Sequence, residues 1–104
     1  MAAEDRIARI RGMEAALNEA LTAVRGLDEA LERYAAAQDA VRKLSAYYGS
    51  DDWKADFAAD EAGELPRDLP RGVLSEDGIW DVLEENRELL ARMLELAAGI
   101  VRRR

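Results

Sequence analysis

Between about Glu4 and Tyr48 the apolar residues return on a seven-residue repeat. Ile10, Leu17, Val24 and Leu31 make one seam, and Met13, Ala20, Leu27, Tyr34 and Val41 make the other. Alternating steps of three and four place both seams on one face of an α-helix, as a coiled-coil or bundle contact requires. The spacing predicts a long first helix over about 4–48. Its opposite face is solvated and carries i,i+4 pairs such as Asp5 with Arg9, Glu29 with Arg33 and Asp39 with Lys43. Gly12 and Gly26 interrupt the pattern at about 1 kcal/mol each relative to alanine, so a bend near Gly26 is allowed but not demanded. Gln38 breaks the first seam.

Gly49 suits the left-handed residue that closes a helix, and Ser50 then caps a short second helix over about 51–62. Asp51 and Asp52 fall in its first turn, where the helix dipole favours carboxylates, and Trp53 and Phe57 share its apolar face. Gly63 ends it. Pro66, Pro70 and Gly72 make the following stretch, Glu64 to Leu74, an extended connection anchored by Leu65, Leu69, Val73 and Leu74. Ser75 is the expected cap of a last helix over about 76–102, with Glu76 and Asp77 in its first turn and Arg102, Arg103 and Arg104 at its end. The expected buried stripe of that helix is Ile79, Val82, Leu83, Leu89, Leu90, Met93, Leu96, Ile100 and Val101. Asn86 falls within the stripe, where an asparagine fixes register or bonds a neighbour.

These elements read as an all-α fold and a single domain over 1–104. The long N-terminal and C-terminal helices form an antiparallel hairpin, joined by the short helix and the Pro/Gly connector. The two helices do not match in length: about 65 Å against about 40 Å at 1.5 Å per residue. A returning last helix reaches only to about Val24, so Ile7, Ile10, Met13, Leu17, Leu21 and Val24 form a seam in need of a cover. Either the first helix breaks near Gly26 into a three-helix bundle, or two chains pair and each covers the other. No proline or cluster of turn residues lies near Gly26, which favours a homodimer.

Composition narrows the chemistry. The 104 residues include neither cysteine nor histidine, which removes disulfides, thiolate nucleophiles, imidazole bases and the zinc sites built from them. No apolar run approaches the roughly 20 residues that span a bilayer, and a cytoplasmic location is expected. The net charge of −7 opposes direct binding to nucleic acid and favours a partner with a basic surface. That charge is concentrated. Gly49 to Asp77 holds nine acids against three bases, a net of −6, and five of the six aromatics lie in or beside it.

The connector is therefore the candidate interaction surface, through Tyr47, Tyr48, Asp51, Asp52, Trp53, Asp56 and Trp80. The plainest role for these residues is a cap sealing one bundle end. Two sharper alternatives are a divalent-cation or small-ligand site at Asp51, Asp52, Asp56 and Asp60, and an acidic inhibitor that mimics nucleic acid. No glycine-rich phosphate loop or calcium-loop pattern is present, and a narrow hairpin provides no cleft for paired carboxylates. No enzyme activity, cofactor or resident metal is expected.

The run YYGSDDW from Tyr47 to Trp53, with DEAGELP from Asp60 to Pro66 and RGVLSEDGIWDVLEENREL from Arg71 to Leu89, resembles a family of small bacterial helical proteins catalogued only as a domain of unknown function. The resemblance covers nearly the whole chain, and the connector motif is its most specific part. It implies no activity and assigns no site residue. Gly12 and Gly26, where ordinary helix formers are expected, depart from the pattern.

Overall fold

The computed structural model describes residues 2–103, which are mostly helical with turns, bends and irregular positions between the helices, and with no strand among them. The helices are α1 (Ala2–Ala36), α2 (Gln38–Tyr47), α3 (Asp51–Glu61) and α4 (Gly78–Arg102), with a short 3₁₀ turn, Gly72–Leu74, before α4. Contacts group the chain into two units, residues 1–38 and 39–104.

In the first unit α1 runs unbroken through Gly12 and Gly26, so the helix does not break at Gly26. The helix expected over 4–48 divides later, at Ala37. There the side-chain amide of Gln38 donates to the carbonyl of Tyr34 at 3.0 Å, while the Ala37 amide donates to the carbonyl of Arg33. A side-chain donor competing for a helical carbonyl perturbs the backbone ladder, and the residue that breaks the hydrophobic seam is also the one at the break. None of the residues of α1 is buried.

In the second unit the connector is the organising centre. Gly49 has φ 77° and Gly63 φ 72°, the left-handed conformation that glycine adopts without a Cβ penalty. The amide of Ser50 donates to the carbonyl of Tyr47, and the Ser50 hydroxyl accepts from the Trp53 amide at 3.1 Å, capping α3 as expected. At the other end of α3, Gly63 and Glu64 donate to the carbonyls of Asp60 and Ala59, satisfying two of its free acceptors.

The connector departs from the extended form expected throughout, because Gly72–Leu74 closes into a 3₁₀ turn. The last helix begins at Gly78 rather than at 76, with Asp77 as its flanking residue. Ser75 still acts as a cap from outside: its hydroxyl accepts from the Gly78 amide at 3.0 Å and donates to the Gly72 carbonyl at 2.8 Å. Leu74 and Ile79, on either side of this joint, are 5% and 2% exposed and are the buried core. The stripe expected to be buried along α4 is corrected accordingly. Only Ile79 is buried, and Leu89, Leu90, Met93, Leu96, Ile100 and Val101 are all well exposed.

Candidate interaction site

The turn at Gly49 sets α3 against the end of α2 and brings four of the expected surface residues together. Tyr48 meets Trp53 edge to face at 5.3 Å between ring centres, and Trp53 stacks on Phe57 at 5.2 Å. Both spacings fall in the range that aromatic quadrupoles favour. The indole of Trp53 donates to the Val73 carbonyl at 2.9 Å, tying α3 to the 3₁₀ turn. Tyr48 reaches the Glu76 carbonyl at 3.5 Å. The rings are half-buried rather than a sealed core, and each polar tip has a partner in the connector.

Tyr47 donates to a carboxylate oxygen of Asp56 at 2.6 Å, a short bond of the charge-assisted kind. That bond pushes the Tyr47 phenol up from 10.0 to about 12, with help from desolvation and from the negative charges of Asp56 and Asp52. Loss of the proton would put a phenolate beside a carboxylate. Asp51 and Asp52 remain exposed in the first turn of α3. Trp80, on the first turn of α4, is 51% exposed and has no ring contact with the Tyr48, Trp53 and Phe57 group among the described residues.

The four aspartates proposed for a cation do not converge, and among the described residues no three carboxylates are placed to hold a metal ion. Two of the four have other partners. Asp56 is bound by Tyr47, and Asp60 forms an ion pair with Arg71 at 2.7 Å, which fastens α3 to the connector. A recess of about 360 Å³ lies beside this network, lined by Tyr47, Asp56, Leu65, Leu69, Val73 and Leu74. Its polar corner is the Tyr47–Asp56 pair.

Sequence reasoning missed the Asp60–Arg71 tie, the Val73 carbonyl and the close approach at Gly78. Eleven residues separate Asp60 from Arg71, so no helical spacing could reveal the first. A Cβ on Gly78 would lie 2.4 Å from the Gly72 carbonyl oxygen and 2.6 Å from Ser75 Oγ. The only sequence signal for that contact was a glycine standing where a helix former would otherwise begin α4.

The seam residues lie along α1 and are open to solvent: Ile10 is 52% exposed, Met13 64% and Val24 66%, with Ile7, Leu17 and Leu21 also exposed. No helix among the described residues is long and apolar enough to cross a membrane. Structure and site thus define an all-α protein with an amphipathic first helix and an acidic, aromatic connector. The chain belongs to the family described as a domain of unknown function, DUF4298, whose profile matches residues 10–96. No curated protein and no solved structure matches it significantly.

Proposed function

We propose that the chain is a non-catalytic, self-pairing helical module in which α1 supplies the pairing seam and the connector forms a rigid acidic cap. One observation carries this reading: α1 is 35 residues long and buries none of them. An isolated helix is marginal in water, and most helical stability in proteins comes from covering an apolar face. Eight large side chains on that face, Ile7, Ile10, Met13, Leu17, Leu21, Val24, Leu27 and Leu31, are between 37% and 66% exposed. Together they present on the order of 700 Å² per chain, close to the roughly 800 Å² per partner of a stable interface. At about 25 cal/mol per Å², covering that surface gains well over 10 kcal/mol per chain before association costs.

A second copy is the favoured occupant because the seam repeats by heptads, and a heptad seam is complementary to another of its own kind. The same reading carries a cytoplasmic setting. It also allows a further partner with a basic surface, which the net charge of −6 around the connector would steer.

Light scattering over a range of concentrations tests the pairing. The expected molar mass is a multiple of 11.6 kDa, and Leu17→Glu is expected to weaken association at least about tenfold, since it places a charge in the seam. A single-chain mass at every concentration overturns the proposal. So does an unchanged affinity in the Leu17→Glu variant.

A further inference from the structure

Five exposed residues of α4, Val82, Leu89, Met93, Leu96 and Ile100, are spaced by seven, four, three and four. That spacing puts them on one narrow helical stripe. The stripe runs beside the side of α4 that meets its own unit: Ile79 is buried, Val82 lines a recess with Ile79 and with Leu44 of α2, and Leu83, Asn86 and Leu90 line another with Val41 and Ser45 of α2. Along one flank of the stripe, charge is distributed by position. Asp81 and Glu85 lie toward the connector, and Arg103 lies just past the far end. Asp81 has no ion pair in the second unit among the described residues, and neither has Arg103. Asp81 and Arg103 of one chain are about 33 Å apart along the helix axis, so they cannot meet each other.

They meet if a second copy lies antiparallel. We infer that α4 pairs with α4 of a second copy about a two-fold axis near residues 91 and 92, and that Arg103 of each chain closes on Asp81 of the other. In that register Val82 faces Ile100 of the second copy and Leu89 faces Met93, apolar against apolar, while Leu96 falls opposite Asn86. The contact is made twice by symmetry, as an isologous interface requires. Arg92 falls at the axis beside Arg92 of the second copy, and Glu88 and Glu95 one turn away on each helix offset that like-charge approach. Parallel pairing would instead place Arg103 beside Arg103 and Asp81 beside Asp81.

The stripe exposes only on the order of 400 Å² per chain, about half of what a stable interface buries on its own. The inference therefore rests on the self-pairing of α1, which holds two copies together and raises the effective concentration of one α4 for the other.

The chain contains no cysteine, so introduced thiols report the geometry directly. Asp81→Cys and Arg103→Cys, combined in one chain, are expected to give a covalent dimer with a short thiol-bridging reagent, whereas either single variant is not. Efficient bridging of the Arg103→Cys variant to itself would show parallel pairing and overturn the inference. Absence of bridging in the double variant, at a concentration where light scattering shows an associated species, overturns it as well and leaves the pairing of α1 standing. Failure of the α1 reading has its own signature, an affinity indifferent to Leu17→Glu. Arg103→Glu is expected to weaken association by about three- to tenfold at low salt. Recovery on adding Asp81→Arg to the same chain supports the inference, and no recovery counts against it. Because Leu96 is 60% exposed, Leu96→Glu leaves the connector fold intact and is expected to abolish bridging.

Discussion

Gly78 begins α4 at a point where a side chain has no room. An alanine Cβ would press on the carbonyl oxygen of Gly72, which is backbone and held by the Ser75 hydroxyl, so it cannot swing aside. Gly78→Ala is expected to destabilise the second unit by about 1–3 kcal/mol in urea unfolding followed by Trp53 fluorescence. Gly26→Ala is the counter-case. Nothing lies within 4 Å of its Cβ position, so the change is expected to raise the helical stability of α1 by about 0.5–1 kcal/mol. Tyr47 carries a pH signature. Its phenol titrates near 12 in the folded chain against an ordinary 10.0, so its bond to Asp56 contributes fully below pH 10 and is lost as pH rises through 12. Comparing the melting temperature of wild type and Tyr47→Phe is expected to show a wild-type advantage at pH 9 that shrinks steadily between pH 10 and about pH 12. An advantage unchanged across that range would mean that it does not come from the protonated Tyr47–Asp56 bond.

The three expected helices were legible because each is written locally, although the first reads as one helix where the structure has α1 and α2. The heptad seams mark α1 and α2, Ser50 with Asp51 and Asp52 marks the start of α3, and Gly49 and Gly63 mark two ends through a backbone conformation that other residues resist. The break at Ala37 was half legible. Gln38 stood out as a polar residue in an apolar seam, but its bond to the Tyr34 carbonyl depends on which rotamer a long amide adopts, and composition is silent on that. Gln38→Leu removes the competing donor and restores the seam. Slower amide exchange across residues 38–42 is the expected result, and unchanged exchange would assign the break to another cause. The start of α4 moved from 76 to 78 because Ser75 spans the 3₁₀ turn and the helix at once.

The chain comprises two units of unlike character. The second is tied by ring contacts, the Trp53–Val73 bond and the Asp60–Arg71 pair, whereas α1 is a helix whose apolar side chains are exposed. Under the self-pairing reading the two respond differently to dilution. Circular dichroism at 222 nm is expected to fall per residue as the associated species dissociates and α1 frays, while Trp53 fluorescence holds steady. Coincident loss of both signals would show that the second unit also depends on association. Candidate residues followed the same division. Tyr47, Tyr48, Trp53 and Asp56 were placed together because a tight turn joins the helices that carry them, whereas Trp80 went elsewhere because its helix begins beyond a long connector.

Sequence alone determined the helical class, most of the helix ends and the acidic charge of the connector, because periodicity, capping and glycine conformation act over four or five residues. Tertiary structure decided which aspartates were already engaged, why Gly78 must be glycine, and that among the described residues only Leu74 and Ile79 are buried. Those outcomes depend on contacts between residues far apart in the chain, and no local pattern encodes how closely two segments approach.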